Sequence, residues 1–322
     1  MVQKICIISF DHWNYDKHIV TALQAKGIDS FHIKIGEFKY KNIGERIGNT
    51  FSKVFLGINP KLKKRQEFIL KSLQGNGIQD QILVINPELI DKEYHLEIKK
   101  FTHKYIAYLY DSMQRCPIDH LLDGIFDEIY SFDKDDCKTF GFQETSNYIY
   151  FNPKEYDNPT IVNECIYIGS IDERLEQVDQ IGQFLKSQNR TFAFYAIGKK
   201  ATWYAFKNRF THQYKTITFR RNRFTQKETL QKYNESKTLI DIVRKNQTGL
   251  SFRIFEAIGL NKNVVTNNAI IANYDIFESK KINLLKDETL HSNDFEFTSN
   301  EYSSDLQHKY HLTTWVEKVF KV

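Results

Sequence analysis

The chain has 322 residues, of which 41% are hydrophobic and 26% are charged, and its formal net charge is +5 at pH 7. This length suits two domains, and the composition is typical of folded rather than disordered proteins. No apolar run approaches the roughly 18 residues that a membrane-spanning helix needs, and MVQKICIISF leads straight into a strand pattern without a cleavable signal. The four cysteines are widely spaced, which favours neither a zinc site nor a disulfide framework. We therefore expect a cytoplasmic protein.

Basic residues cluster between Lys39 and Lys71, against only Glu45 and Glu67. This stretch is either a solvated pair of helices or a surface attracted to anionic lipid head groups or to a charged acceptor. A nucleic acid partner is not expected, because dedicated binders usually show a larger charge excess and a recognisable module.

Short β-rich runs alternate with helical stretches through the first half of the chain. A helix is predicted from about Tyr15 to Lys26, and strands are predicted at KICIISF, DSFHIKI, QILVINP, KYIAYLY and EIYSF. Such alternation is typical of an α/β fold with a doubly wound parallel sheet. Residues 150–163 contain two Asn-Pro pairs and break both periodicities, which predicts a linker.

A second alternating series follows the linker. Strands are predicted at ECIYIGS, RTFAFYAIG, KTITF, KTLIDIV and NVVTN. Helices are predicted from about Glu173 to Ser187, from about Gln226 to Asn234, and in the segment just before NVVTN. The spacing from about Ser303 to Phe320 predicts a terminal helix. We therefore expect two Rossmann-like domains, at residues 1–157 and 158–302, and a C-terminal helix at 303–322 that could pack back on the first domain.

The segment DIVRKNQTGLSFRIFEA has the form of a ligand-binding strand, loop and helix. In open α/β sheets, ligands bind beyond the carboxyl ends of the strands. Thr248 can cap the helix, whose buried stripe is expected at Leu250, Ile254 and Ile258. Its first free amides come from Gly249, Leu250 and Ser251. These amides suit a diphosphate, because the helix dipole places positive charge at this end.

Arg253 and Glu256 lie on the face of this helix that continues from Gly249. Arg253 could assist the diphosphate, and Glu256 could accept both hydrogen bonds from a ribose diol, as an acidic residue does in dinucleotide folds. The alternative is an ion pair between the two residues on a surface helix, which contributes about 0.2–0.5 kcal/mol.

The same stretch resembles the donor-binding motif of GT-B glycosyltransferases, in which a glutamate of the form E-A-x-G follows a loop and a helix start. Five segments are similar to bacterial glycosyltransferases of capsule and lipopolysaccharide clusters, related to the CgeB-like group: YLYDSM, FDEIYSFDKDDCKTFGF, YIGSIDERLE, IDIVRKNQTGLSFRIFEAIGLNKNVVTNN and NYDIF. The resemblance covers most of residues 105–320. It implies two Rossmann-like domains facing each other across a cleft, and a nucleotide sugar as donor.

The resemblance also implies roles for individual residues. Glu256 would hold the donor ribose, and residues 249–251 would offer amides to the diphosphate with Arg253 nearby. Gly169 and Ser170 would bring the backbone close to the donor. Arg174 would either reach a phosphate or be a solvated helix position beside Glu173 and Glu176. Further phosphate candidates follow the next two strands, namely Lys199, Lys200, Arg220, Arg221 and Arg223.

No cofactor or metal is expected, because the resemblance implies that helix dipoles and cations stabilise the departing nucleoside diphosphate. The DKDD run at 133–136 begins a helical stretch, so Asp133 is predicted to cap a helix rather than to bind a metal.

A general base is needed from the first domain if the reaction inverts the sugar centre. Asp11 and His12 follow the first strand, and Asp111 follows KYIAYLY. Each could instead cap or hydrogen-bond loop backbone. A retaining reaction needs no such base, and the sequence leaves the stereochemistry open.

These observations predict a glycosyltransferase that acts on a growing surface glycan or lipid-linked glycan at the inner face of the cytoplasmic membrane. Two alternatives remain: a nucleotide-sugar epimerase on the same frame, and a non-catalytic scaffold of a polysaccharide assembly complex.

Overall fold

The computed structural model describes residues 2–11, 13–35, 60–157, 159–244, 249–285, 289–297 and 300–322. The chain divides into two compact units, Met1–Ser146 with Leu312–Val322, and Asn147–His311. Each contains a six-stranded parallel sheet with interleaved helices, which confirms the predicted α/β class with two Rossmann-like domains. The division lies before the predicted boundary at 157/158, because residues such as Asn147 and Tyr150 hydrogen-bond within the second unit.

The N-terminal unit has the strand order β2-β1-β3-β4-β5-β6. Its strands are β1 (Lys4–Ser9), β2 (Asp29–Lys34), β3 (Gln79–Ile85), β4 (Thr102–Leu109), β5 (Glu128–Ser131) and β6 (Gln143–Glu144). Its first helices are α1 (Lys17–Ala25), α2 (Pro60–Asn76), α3 (Lys92–Lys99) and α4 (Lys134–Phe140). The side chains of β1 from Ile5 to Ile8 are all fully buried. A parallel sheet covered on both faces requires such a continuous apolar run, which is why the sequence shows it so clearly.

Asp133 caps α4 as predicted. Its side chain accepts hydrogen bonds from the backbone amides of Asp135 and Asp136. The DKDD run therefore starts a helix.

The C-terminal unit has the strand order β12-β11-β10-β7-β8-β9. Its strands are β7 (Asn163–Ser170), β8 (Phe192–Ile197), β9 (Ile217–Arg220), β10 (Ser236–Asp241), β11 (Asn263–Thr266) and β12 (Ile282–Leu284). Its helices are α5 (Leu175–Ser187), α6 (Ala201–Thr211), α7 (Gln226–Asn234), α8 (Phe252–Gly259) and α9 (Ser304–Lys309). The strand order reverses between β7 and β10, which are neighbours in the sheet. Open α/β sheets bind ligands at such a reversal.

The C-terminal segment forms two helices instead of one, α9 in the second unit and α10 (Leu312–Phe320) in the first. Trp315 packs against Tyr108 with ring centroids 5.3 Å apart, and the Phe320 carbonyl accepts from the Gln81 side chain at 2.8 Å. The last helix thus packs on the N-terminal unit.

Short 3-10 helices connect several elements, at Pro87–Leu89, Asp119–Leu121, Pro153–Tyr156, Ala269–Asn273, Asp275–Ser279 and Ser292–Phe295. Within the described ranges, no helix combines the length and the apolarity that crossing a bilayer requires.

Candidate functional site

The carboxyl ends of β7 and β10 lie side by side at the reversal of the C-terminal sheet. Gly169 and Ser170 end β7, and Asp241 ends β10. The backbone at Gly169 is crowded, because a Cβ atom there would lie 2.1 Å from the Tyr167 hydroxyl. A side chain at this strand end would therefore require Tyr167 to shift. The Tyr167 hydroxyl is itself buried, without a hydrogen-bond partner among the described residues.

Arg253 ties α8 to both of these strand ends. Its guanidinium donates to the Asp241 carboxylate at 2.6 Å and to the Ile168 carbonyl at 2.6 Å, and its Nε donates to the Tyr233 hydroxyl at 3.3 Å. The Arg253 and Asp241 side chains are only 11% and 1% exposed. Burial lowers the pKa of Arg253, but Tyr233 and Asp241 more than offset this and hold it above its ordinary value. The predicted alternative of an exposed surface ion pair does not fit this buried geometry.

The turn that leads into α8 is held by side chains that reach its carbonyl oxygens. The Asn268 amide donates to the Gly249 carbonyl at 3.2 Å, and the Asn147 amide donates to the Leu250 carbonyl at 2.9 Å. In a trans peptide the N–H points opposite to the C=O. The amides of Leu250 and Ser251 therefore point away from these two asparagines.

Ser251 occupies the N-cap position of α8, and its hydroxyl donates to Asp241 at 2.8 Å. The buried stripe predicted from Leu250, Ile254 and Ile258 is buried as expected, although Leu250 precedes the helix. Thr248, the predicted cap, lies outside the described residues.

Glu256 is 3% exposed, on a helix buried on nearly every side. The Tyr150 hydroxyl donates to its Oε1 atom at 2.7 Å, and the Tyr150 ring packs edge-on to Phe252 with centroids 6.2 Å apart. Tyr150 thereby fixes the position of the carboxylate. Sequence reasoning missed Tyr150, because it lies in the stretch interpreted as a linker.

A second charge cluster lies where β7 and β10 end. Arg174 makes a bidentate pair with Asp172 at 2.7 and 2.8 Å, and its third contact is to the Ile242 carbonyl at 2.9 Å. Arg244 donates to the same Asp172 carboxylate at 3.1 Å. Burial raises the pKa of Asp172, but the hydrogen bonds from Arg174 outweigh this and hold it below its ordinary value. Two cations sharing one carboxylate leave a net positive charge at the reversal.

Arg174 is therefore not the solvated helix position of the alternative reading. Arg244 was not among the predicted residues, although its place directly after TLIDIV, in the same loop, was a usable signal.

Lys199 and Arg220 lie further along the sheet. Lys199 is exposed in the turn after β8, and Arg220 ends the edge strand β9. The Arg220 guanidinium stacks on the Phe224 ring at 4.2 Å, and its Nε donates to the Asn222 carbonyl at 2.9 Å. The structure thus brings Gly169, Arg174 and Arg253 together at the reversal and places these other two cations one and two strands beyond β7.

In the N-terminal unit, Asp11 is buried in the loop after β1 with a φ of 45°. Its carboxylate accepts from the Asp16 amide at 3.0 Å, and the Lys34 ammonium lies 3.5 Å away. These contacts stabilise the loop, as the alternative predicts, and the role of Asp11 as a general base stays a prediction. Asp111 pairs with Arg115 at 3.1 Å, and His12 lies outside the described residues.

Asp16 is a further buried carboxyl in this loop. The Tyr110 hydroxyl donates to it at 2.7 Å. Burial and the nearby Asp11 raise its pKa to about 7, although Ser9, Tyr110 and Lys34 oppose the shift. The sequence alone did not single it out, because the proximity of Asp16 to Tyr110 arises only when β1 and β4 join one sheet.

No protein-family model matches the sequence, and no curated protein matches it. Several solved structures do. An α,α-trehalose-phosphate synthase (UDP-forming) from Burkholderia xenovorans, in complex with glucose-6-phosphate, aligns with a TM-score of 0.64 at 9% identity over 99% of each chain. AviGT4, a glycosyltransferase involved in avilamycin A biosynthesis, aligns with a TM-score of 0.61 at 10% identity over 99% of this chain and 96% of its own. The lipopolysaccharide outer core galactosyltransferase WaaB aligns with a TM-score of 0.52 at 12% identity over 99% of each chain.

At these identities the likeness concerns the fold. Together with the two parallel six-stranded sheets, it defines the class: the chain has the α/β GT-B fold found in glycosyltransferases.

Proposed function

We propose that this protein is a glycosyltransferase that moves a sugar from a nucleoside diphosphate donor to a bacterial surface glycan. The observation that carries the proposal is the buried carboxylate of Glu256, held by Tyr150, on the helix that begins at the reversal of the C-terminal sheet.

The diphosphate would lie at the start of α8. The amides of Leu250 and Ser251, directly before the first residue of α8, point away from the asparagines that hold the turn. The first amides of the helix itself have no partner within it. The helix dipole adds positive charge at this end, and Arg174 and Arg244 add a net positive charge from the neighbouring strand ends. Arg253 would act on the donor indirectly, by fixing α8 against both strands.

The donor ribose would be held by Glu256. A carboxylate can accept hydrogen bonds from both hydroxyls of a ribose diol, and such bonds are strong where water is excluded. The hydrogen bond from the Tyr150 hydroxyl orients the Glu256 carboxylate on α8.

Bond cleavage at the sugar would leave negative charge on the departing diphosphate. The start of α8, together with Arg174 and Arg244, would stabilise that charge without a resident metal. Because one of the structural neighbours is UDP-forming, UDP is the first nucleotide to test.

The acceptor is proposed to be a growing surface or lipid-linked glycan at the inner face of the membrane. The fold likeness to an outer core galactosyltransferase supports this choice. The basic stretch Lys39–Lys71 would help to attract an anionic surface. Its part from residue 39 to 59 lies outside the described residues, and its remainder forms most of α2.

A thermal-shift panel of UDP, GDP, CMP, ADP and dTDP tests the donor site. A nucleotide at about a hundred times its dissociation constant should add roughly 2.7 kcal/mol of stability, which raises the melting temperature by several degrees. We expect one nucleotide to shift the wild type, Glu256→Gln to lose most of that shift, and Tyr150→Phe to lose part of it. Glu278→Gln, an exposed glutamate of the same unit, is the matched control and should behave as the wild type.

Full donor affinity in Glu256→Gln would refute the role of this carboxylate. Product analysis then tests the reaction itself. Sugar transfer should require an added acceptor, whereas epimerisation of the donor alone would replace the proposal with an epimerase. Absence of a shift with every nucleotide would favour a scaffold.

A further inference from the structure

Helix α6 presents a row of aromatic side chains to solvent. Trp203, Phe206 and Phe210 are 55%, 62% and 73% exposed. Positions i, i+3 and i+7 lie on one side of a helix, so the three rings share one face of α6 and form an apolar stripe. The Phe206 and Phe210 rings contact each other edge to face, with centroids 5.2 Å apart.

The stripe is not the side of α6 that packs on the core, because the opposite side of the helix already packs against the sheet. Ala201 is buried, and Tyr204 stacks on Phe219 of β9 with centroids 5.6 Å apart. Asn208 and Tyr214 exchange two hydrogen bonds of 2.7 and 2.8 Å between the helix and the following loop. The aromatic stripe therefore faces outward on a fixed support.

The surroundings of the stripe are strongly basic. Residues 198–224, which span α6 and β9, contain eight Lys or Arg residues and no Asp or Glu, although the whole chain has a net charge of only +5. Lys207 lies over the Trp203 ring at 5.4 Å, and Arg209 is on the other flank of the stripe. An apolar stripe bordered by cations is the pattern of helices that lie in the interface of an anionic bilayer.

We propose that α6 docks this protein on an anionic lipid bilayer, with the three aromatic rings among the head groups and the flanking cations against lipid phosphates. Trp and Phe side chains partition into this interface, and each Lys or Arg near an anionic membrane adds to the affinity. Because this segment has eight cations and no acidic side chain, its charge complements the phosphates of an anionic lipid surface. This surface is distinct from the Lys39–Lys71 stretch and goes beyond the proposed function, since it assigns membrane contact to the donor-binding unit.

Vesicle co-sedimentation of the full chain tests the proposal. The probes are vesicles of phosphatidylcholine alone and of phosphatidylcholine mixed with phosphatidylglycerol. We expect binding to the mixed vesicles and little to the neutral ones. The double variant Phe206→Ser/Phe210→Ser should weaken that binding by about tenfold or more for each ring removed. Lys207→Gln should weaken it by about fivefold, and high salt should weaken it further.

The matched control is Leu96→Ser/Val162→Ser, which removes two side chains that are 47% and 60% exposed elsewhere. It should sediment as the wild type does. Because all four positions are exposed, both double variants should fold, and their circular dichroism melting curves verify this.

Wild-type protein that stays in the supernatant with mixed vesicles would overturn the proposal, and so would an aromatic variant that sediments unchanged. Binding of a single-stranded oligonucleotide that is lost in the aromatic variant, with vesicle binding retained, would instead assign the surface to nucleic acid. The nucleotide thermal shift should be the same in all these variants. Loss of vesicle binding with an intact nucleotide shift therefore tests only the role of α6. Vesicle binding without any nucleotide shift would contradict only the proposed donor site.

Discussion

Replacement of Arg253 by Met separates a positioning role from direct binding of the diphosphate. The variant would leave the Asp241 carboxylate, which is 1% exposed, without its cation and would remove the donor to the Ile168 carbonyl. Removal of one partner from a buried ion pair costs about 3–5 kcal/mol. At about 2–4 °C per kcal/mol for a unit of this size, the melting temperature should fall by roughly 6–20 °C.

A double-mutant cycle with Asp241→Asn tests the pairing. The Asn side chain can still accept the hydrogen bond from Ser251, so the double variant removes both charges and keeps that contact. We expect a coupling energy of about 1–3 kcal/mol, measured by urea denaturation at pH 7. If Arg253 bound the diphosphate directly, the free energy of unfolding of Arg253→Met would stay within about 0.5 kcal/mol of the wild-type value. The variant would nevertheless lose its thermal shift on addition of the nucleotide. That result would refute the positioning argument.

Three further predictions concern buried groups. The pKa of Asp16 is about 7 in the folded state, whereas that of an unperturbed Asp is 3.8. Between these pH values the folded state therefore binds more protons than the unfolded state, and the free energy of unfolding falls as the pH rises through them. Asp16→Asn should therefore gain stability relative to the wild type across this window, by up to about 4 kcal/mol above pH 7 in urea titrations, and a pH-independent difference would contradict this. Burial lowers the pKa of His95 from 6.5 to about 4, so the unfolded chain binds the extra proton, and stability should decline as pH falls from 6.5 to 4. His95→Gln should flatten that part of the pH profile, and an unchanged slope would exclude His95 as its source. Gly169→Ala places a methyl group against Tyr167 and should cost about 1–3 kcal/mol, whereas Gly198→Ala, whose nearest neighbour is 3.5 Å away, should be well tolerated. Equal melting temperatures for the two alanine variants would show that the strand end is not crowded.

The sequence predicted the class of fold because the pattern of a parallel sheet is local. Buried runs such as Ile5 to Ile8 remain visible whatever lies above and below them, and the cap of α4 involves only neighbouring residues. Short edge strands escaped prediction, since β6 and β12 contain too few residues to show a period.

The partners at the candidate site are distant in sequence, which is why spacing misjudged them. Arg253 and Glu256 are three residues apart, yet Arg253 pairs with Asp241, and Glu256 receives its hydrogen bond from Tyr150. A helical wheel orders the residues of one helix and contains nothing about the elements that pack on it.

The aromatic residues of α6 also show that spacing in the sequence does not decide whether a side chain is buried or exposed. Their spacing in the sequence is equally compatible with a core-facing stripe, and only the attachment of Tyr204 and Asn208 to neighbouring elements shows that the rings face solvent. By itself, the sequence determined the two alternating α/β series and most of their strands, but not α6 or the edge strands β6 and β12. Tertiary structure decided which charges are buried together and which aromatic rings are exposed, because burial depends on contacts between segments that the chain brings together only when it folds.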